Sequence, residues 1–243
     1  MNLMRSVRWV FGLVGVLVFV AACGDDAKPA EAQGAGTPSE PAKAAVVDPN
    51  ENPALRDPTK AKLEAPAQFK VEFETTAGKF TMVCERRWSP HGVDRFYNLV
   101  QAGYYKDVAF FRVVKNFVAQ FGMHGDPAVN KVWSGTRIPA DPVLCSNVRG
   151  TVSFAMLQDP NTRSNQLFIN LKNNASLDNM RFAPIGKVAE GMDVVDKLYS
   201  GYGDGPPQGG GPSQQSISNL GNKYLADEFP KLDYIRSARV LEN

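Results

Sequence analysis

The sequence has little of the chemistry on which most enzymes depend. Only two histidines occur among 243 residues, His91 and His124, and neither has a partner at the spacing of metal ligands. It contains no glycine-rich phosphate loop and no GxSxG or HExxH motif. The net charge is +2 without a concentrated basic patch, so nucleic acid is not an expected partner. Hydrolytic, phosphoryl-transfer and metal chemistry therefore lack support, and we expect no cofactor.

A long apolar run at the amino terminus predicts an export signal rather than part of a fold. The run extends from Trp9 to Val20 after a basic start, and it is too short to span a bilayer comfortably. Val20-Ala21-Ala22-Cys23 then resembles a bacterial lipobox, in which the cysteine is lipidated and begins the mature protein. We predict a lipoprotein signal peptide at residues 1–22 and lipidation of Cys23. A plain signal peptide and an uncleaved anchor are the alternatives.

Aromatic residues are absent from Gly24 to Pro66, a stretch that is rich in alanine, proline, glutamate and lysine. This composition cannot bury enough apolar surface to offset the entropy lost on ordering. We expect residues 23–66 to be a disordered tether. The predicted lipid on Cys23 would attach this tether to a membrane, so a membrane is an expected partner. The domain would face the periplasm or the cell surface. Gly24 and Asp25, which follow the cysteine, do not meet a simple rule for retention at the inner membrane. This failure favours the outer membrane.

Residues 67–243 have the pattern of a folded domain that is mainly β structure. Apolar residues at helical spacing predict two helices, one that begins near Ser89 and one that begins near Gly191. A long loop is expected from Gly122 to Asn147. The predicted strands are Phe69–Phe73, Phe80–Cys84, Val108–Val114, Thr151–Met156, Leu167–Asn170 and Tyr234–Leu241. Many strands with two helices indicate a mainly antiparallel fold, such as a closed barrel capped by helices.

Arg112 is a cation inside an otherwise apolar strand, Phe110 to Val114. Two further polar residues, Gln120 and Gln166, occur among aromatic residues. An apolar pocket with a few convergent hydrogen-bonding groups is the usual form of a ligand site. The same pattern also fits an arginine at a strand edge that pairs with a carboxylate. The residues alone leave both interpretations open.

The surrounding sequence carries a family resemblance. The run Phe110-Phe111-Arg112-Val113-Val114-Lys115-Asn116-Phe117-Val118-Ala119-Gln120 resembles the signature F-x-R-[IV]-[IV]-x-x-F-x-x-Q of the cyclophilins, a family of peptidyl-prolyl cis/trans isomerases. Further blocks match in order, and they are Asp94–Leu99, Ser153–Met156, Asp159–Thr162, Asn165–Asn170, Leu177–Asp178 and Gly186–Met192. The resemblance extends over nearly all of residues 69–198. The closing stretch at 201–233 is longer than in a minimal cyclophilin.

The resemblance implies an eight-stranded antiparallel barrel capped by two α-helices, which catalyses rotation about Xaa-Pro bonds. By motif position, Arg112 takes the place of the catalytic arginine, and Gln120 would orient it. The implied substrate-binding positions are Phe117, Val118, Ala155, Met156, Gln166, Phe168 and Leu177, with Phe182 as a candidate pocket wall in place of a family histidine. Strict alternation along a strand places Phe117 and Val118 on opposite faces, so both line a pocket only where the strand bends.

Several positions depart from the family pattern. Lys115-Asn116 stands where many cyclophilins have Pro-Gly, Val118 replaces a common methionine, and Ser176 occupies a position where many members carry tryptophan. We therefore expect a variant pocket with the same reaction.

We predict a monomeric isomerase that acts on proline-containing peptides and on unfolded exported proteins, whose folding it assists. A binding module on the same fold, which holds proline-rich peptides without turnover, is the alternative. A structural lipoprotein that uses the domain only as a spacer is disfavoured, because the residues expected in the pocket are retained. Cys84 and Cys145 are a candidate disulfide in an exported domain, or else two small buried residues.

Overall fold

The computed structural model describes residues 51–241, whose backbone is dominated by a curled antiparallel sheet. Its nine strands in this part of the chain are β1 (Gln68–Thr75), β2 (Gly78–Glu85), β3 (Val108–Ala109), β4 (Arg112–Val114), β5 (Val118–Phe121), β6 (Thr151–Phe154), β7 (Leu167–Asn170), β8 (Pro184–Glu190) and β9 (Tyr234–Leu241). Their order across the sheet is β3-β9-β1-β2-β8-β6-β7-β5-β4. The predicted, mainly antiparallel β fold is confirmed.

The two end strands of the sheet are parts of one interrupted strand. Only Phe110 and Phe111 separate β3 from β4, and both rings are buried. The amide of Phe110 still donates to the carbonyl of Asp233 at 2.9 Å, which continues the pairing with the chain before β9. Because the ends of the sheet meet in one stretch of chain, the sheet curls on itself as a barrel does. Counting β3 and β4 together gives the eight strands that the resemblance implies.

The expectation of two helices was incomplete. Among the described residues the α-helices are α1 (Pro90–Gln101), α2 (Pro127–Gly135), α3 (Ser176–Asn179), α4 (Met192–Lys197), α5 (Gln214–Leu220) and α6 (Asn222–Glu228). The two predicted helices are α1 and α4, whereas α2 lies in the stretch expected to be a loop. The start of α2 was visible in the sequence, since Asp126 caps the amide of Ala128 and a proline follows it.

Aromatic rings fill the interior of the sheet and fix the place of α1. Phe73 of β1 stacks on Phe80 of β2, with ring centroids 4.7 Å apart. Phe96 of α1 lies 6.3 Å from Phe73, and Phe121 of β5 meets Phe73 edge-on at 6.1 Å. These rings are almost completely buried, so the inward face of each strand is occupied by the core. Polar groups of the same strands are left on the outer face.

Residues 51–66 pack against the domain, so the predicted disordered tether is wrong for this part. The indole nitrogen of Trp133 in α2 donates to the carbonyl of Leu55 at 2.8 Å. The amide of Leu63 donates to Oδ1 of Asn98 in α1 at 3.0 Å, and the Asn98 amide returns a bond to the Leu63 carbonyl at 2.7 Å. Composition predicted disorder because these partners belong to helices far along the chain.

The other amino-terminal predictions lie outside the described residues. They are the signal peptide at 1–22, the lipidated Cys23 and the tether up to residue 50. Within residues 51–241, no helix is both long enough and apolar enough to cross a membrane.

The candidate disulfide is not formed, because Cys84 and Cys145 are separate thiols. Cys84 lies on β2 with its side chain fully buried in the core, and this burial raises its pKa well above the usual value. Cys145 lies in the loop before β6, is partly exposed, and contacts the carbonyl of Ser146. One thiol thus belongs to the core and the other to a surface loop.

We expect a chain that begins at residue 67 to be less stable than one that begins at residue 51. The shorter chain leaves the buried Trp133 indole nitrogen without Leu55 and Oδ1 of Asn98 without Leu63, and each unsatisfied group costs about 1–3 kcal/mol. Urea unfolding measures the difference as a lower midpoint. Trp133→Phe in the longer chain removes one of these bonds, so its urea midpoint should lie between the midpoints of the two wild-type chains. Equal midpoints for the two chains would contradict the packing of this segment.

We expect titration of a folded chain that begins at residue 51, and so lacks Cys23, to detect Cys145 and not Cys84 with a thiol reagent. The second thiol should become reactive only in denaturant, because Cys84 is solvent-inaccessible and its pKa is raised. Reductant should not change the total number of thiols that react in denaturant. A total that increases after reduction would show that the two cysteines pair.

Candidate active site

An open cavity of about 630 Å³ lies on the outer face of the sheet, beside β4, β5 and β7. Nine of the ten predicted catalytic and substrate-binding residues line it, and they are Arg112, Phe117, Val118, Gln120, Ala155, Met156, Phe168, Leu177 and Phe182. The tenth, Gln166, lies just beyond this lining and bonds to Gln120. The structure therefore brings together residues that are up to 70 positions apart in the sequence.

The strand register places the polar and aromatic members of the site side by side. Arg112 of β4 lies opposite Gln120 of β5, and Gln120 lies opposite Phe168 of β7. Directly opposed residues on antiparallel strands have side chains on the same face of the sheet. The guanidinium, the amide and the ring therefore project together into the cavity.

A relay of hydrogen bonds orients these polar side chains. Nη1 of Arg112 donates to Oε1 of Gln120 at 3.0 Å, and Nε2 of Gln120 donates to Oε1 of Gln166 at 2.8 Å. Gln166 in turn donates through Nε2 to Oε1 of Gln214 at 3.1 Å. Gln120 is buried, whereas the Arg112 side chain keeps 22% of its surface exposed. The relay holds the guanidinium at the border between the sheet and solvent.

An apolar cluster beside the relay forms the floor of the cavity. Val118, Phe168 and Leu177 are buried together, apart from the main core. Phe117, Ala155 and Phe182 pack against them. The Phe182 ring meets the Phe168 ring edge-on, with centroids 5.5 Å apart, and it lines the cavity.

Phe117 and Val118 both line the cavity because Phe117 belongs to a turn rather than to β5. The Phe117 amide donates to the Val114 carbonyl at 3.0 Å and closes the turn between β4 and β5. Asn116 adopts a left-handed conformation with φ of 55°, which asparagine tolerates better than most residues. The bend required for both side chains to reach one pocket is therefore present, without the glycine common in the family.

The second wall of the cavity was missed by sequence analysis. It comes from the closing segment, which we define as residues 201–233, and from the first turn of α5 within it. Asp204 of this segment accepts two hydrogen bonds from Arg112, from Nε at 2.7 Å and from Nη2 at 3.0 Å. The pairing lowers the pKa of the Asp204 carboxyl. The only signal for this wall in the sequence was the unusual length of the segment. That length did not point to Arg112, because Arg112 is 92 positions from Asp204.

Comparison with known proteins agrees with this geometry. The family model described as cyclophilin type peptidyl-prolyl cis-trans isomerase/CLD matches residues 70–224, which is more than half of the chain. Peptidyl-prolyl cis-trans isomerase A of Dickeya dadantii is 33% identical over 133 residues, covering 53% of this chain and 70% of that protein. Peptidyl-prolyl cis-trans isomerase cyp18 of Streptomyces antibioticus is 32% identical over 136 residues, covering 53% and 81% respectively.

A solved structure shows the same fold. The crystal structure of a Cryptosporidium parvum cyclophilin type peptidyl-prolyl cis-trans isomerase matches 72% of this chain and 99% of that chain, with a TM-score of 0.53 at 20% sequence identity. The chain belongs to the cyclophilin-type peptidyl-prolyl cis-trans isomerase family. Its activity is the cis/trans isomerisation of peptidyl-prolyl bonds.

Proposed function

We propose that this isomerase assists the folding of exported proteins from a lipid anchor, as a monomer, with Arg112 as its catalytic residue. The observation that carries the assignment of Arg112 is its position. A guanidinium that Gln120 orients at 3.0 Å stands beside a buried apolar cluster in an open cavity. This combination is suited to a substrate with a proline ring and a peptide carbonyl.

The reaction needs a donor and a shaped pocket, and no bond is broken. Resonance between nitrogen and carbonyl sets a rotational barrier of about 18–20 kcal/mol. In the twisted state this resonance is lost, and the prolyl nitrogen regains a lone pair. An enzyme accelerates the rotation by stabilising the twisted amide better than either planar form. A fixed hydrogen-bond donor near the prolyl nitrogen or the adjacent carbonyl provides that preference.

Arg112 has the capacity for this role. A guanidinium carries five N–H groups and stays charged at any working pH. Three of these groups are engaged in the structure, one with Gln120 and two with Asp204. Two N–H groups remain for substrate, one on each terminal nitrogen. The arginine is thus held at all three nitrogens and keeps two unengaged donors.

The neighbouring residues suit the rest of a peptide. We propose that Val118, Phe168 and Leu177 hold the proline ring, since they form the buried apolar floor. The amide of Ala155 already donates to the Gln166 carbonyl at 2.8 Å. We therefore assign peptide backbone contacts to the Ala155 carbonyl and to the Met156 backbone. A solved relative with a TM-score of 0.52 was determined in the presence of the dipeptide Ala-Pro, which supports a proline peptide as the ligand.

We expect Arg112→Ala to lower kcat/KM for an Ala-Pro peptide by about 100-fold, because it removes a preorganised donor. Exchange NMR on the peptide measures the catalysed rate. Arg239→Ala is the matched control, since Arg239 is an exposed arginine paired with Glu72 at 2.9 Å. An Arg112→Ala protein that works within about twofold of wild type would remove Arg112 from catalysis. A wild-type protein that binds the peptide without acceleration would leave only the binding module.

The proposal for the anchor rests on the sequence Val20-Ala21-Ala22-Cys23. A lipidated Cys23 would begin the mature protein, and residues 24–50 would join it to the packed segment at 51–66. Two or more acyl chains make such anchoring stable, whereas one alone is marginal. We propose the outer membrane as the site, with the isomerase domain facing the periplasm or the surface. Exported chains would then be the accessible substrates.

We expect Cys23→Ser to abolish the incorporation of labelled palmitate in a bacterial host and to release the protein from the membrane fraction. Isomerase activity should not change, because the site lies in the folded domain. Cys145→Ser provides the control, since it removes a thiol that the proposed anchor does not use. A Cys23→Ser protein that stays in the membrane would indicate an uncleaved anchor instead. Density separation of the two membranes tests the proposed outer-membrane location.

A further inference from the structure

The closing segment contacts the polar relay of the site at two points. Asp204 binds Arg112 through both carboxylate oxygens, at 2.7 and 3.0 Å. Gln214, the first residue of α5, accepts from Gln166 at 3.1 Å at the other end of the relay. Arg112 and Gln120 thus lie between two attachment points on one segment.

Glycines allow the segment to wind tightly around Asp204. The amide of Gly211 donates to the Asp204 carbonyl at 2.8 Å. A side chain at Gly209 would place its Cβ 2.3 Å from the same carbonyl oxygen, and one at Gly211 would place it 2.9 Å away. Only glycine fits such close backbone approaches. The loop therefore presents the Asp204 carboxylate in one fixed place.

The chain just before Asp204 is held by one backbone contact with the barrel and by aromatic packing. Gly203 forms an isolated antiparallel bridge with Val113, the neighbour of Arg112 on β4. The Tyr202 ring lies between Tyr199 and Phe229, with centroid distances of 5.0 Å to each. Backbone pairing and aromatic packing together fix the distance between the aspartate and the strand that carries the arginine.

We propose that Asp204 is a positioning residue for isomerisation, which holds the Arg112 guanidinium in the orientation that acts on the substrate. The proposal rests on the assignment of Arg112 as the catalytic residue. A long arginine side chain loses rotamer freedom when it is fixed, and a bidentate carboxylate supplies that fixation before substrate binds. Preorganised donors do not have to reorient during the reaction, which is the main source of their catalytic value.

The geometry favours positioning over blocking. Asp204 engages Nε and one N–H of Nη2, so a donor is left on each terminal nitrogen. The cavity between the two walls stays open at about 630 Å³, within the range of ordinary ligand pockets. A contact that excluded substrate would fill this space. Here the aspartate binds one edge of the guanidinium and leaves the pocket accessible.

We expect Asp204→Ala in the full-length protein to lower kcat/KM for the Ala-Pro peptide by about 10- to 100-fold, as misplacement of a catalytic group does. Asp204→Glu keeps a carboxylate and should retain part of the lost activity. Asp196→Asn is the matched control, because it removes the partner of Arg149 in a surface pair of 2.6 Å without touching the site. Thermal unfolding checks that each variant is folded. An Asp204→Ala protein that is as fast as wild type, or faster, overturns the proposal, and a faster one identifies a blocking contact.

A double-mutant cycle tests whether Asp204 acts through Arg112. In the Arg112→Ala background, Asp204→Ala should cause no further loss, because the group it positions is gone. Losses that multiply would assign Asp204 a structural role and overturn the proposal. The Nε proton of Arg112 should also be protected from solvent exchange in wild type and lose that protection in Asp204→Ala. A fully active Arg112→Ala protein would reject the catalytic role of Arg112. A fully active Asp204→Ala protein beside an impaired Arg112→Ala protein would reject only the positioning role of Asp204.

Discussion

The register between β4, β5 and β7 is the constraint on which the site depends. It sets Arg112 opposite Gln120 and Gln120 opposite Phe168, so one row across three strands contains the donor, its partner and the pocket floor. A shift of one residue in any of these pairs would send the corresponding side chains to the other face. The same shift would expose core residues, so the hydrophobic core and the site enforce a single register. Stability and site geometry are therefore coupled through the pleat of the sheet.

Strand β5 shows how one segment serves both faces. Ala119 and Phe121 point into the main core, whereas Val118 and Gln120 belong to the outer site. This is the alternation that a strand imposes on successive side chains. The buried position of Gln120 places an amide where water is largely excluded, and both of its polar atoms have partners at 2.8–3.0 Å. An amide whose oxygen and nitrogen both have partners orients its neighbours instead of destabilising the sheet.

The sequence could predict the parts of the molecule that depend on neighbouring residues. Alternation and helical spacing located most strands and the helices α1 and α4, and a contiguous motif located Arg112 and Gln120. Contacts between distant segments could not be predicted from these local patterns. The packing of residues 51–66 depends on helices far along the chain, and the separation of Cys84 from Cys145 depends on which one enters the core. Asp204 was invisible for the same reason, since no local pattern marks an aspartate in a glycine-rich loop as the partner of a strand arginine.

Arg112 first allowed two interpretations, a functional donor or a strand arginine that pairs with a carboxylate, and the structure shows that they are compatible. A partly exposed ion pair contributes only about 0–1 kcal/mol to stability. The loop that carries Asp204 is rich in glycine, and ordering glycine costs more conformational entropy than ordering other residues. The ion pair is therefore a weak explanation for an ordered loop at this position. Its larger effect is on orientation, because two carboxylate oxygens and one amide oxygen together hold a planar group in a single direction. An arginine held in this way has a fixed orientation and an unengaged N–H group on each terminal nitrogen.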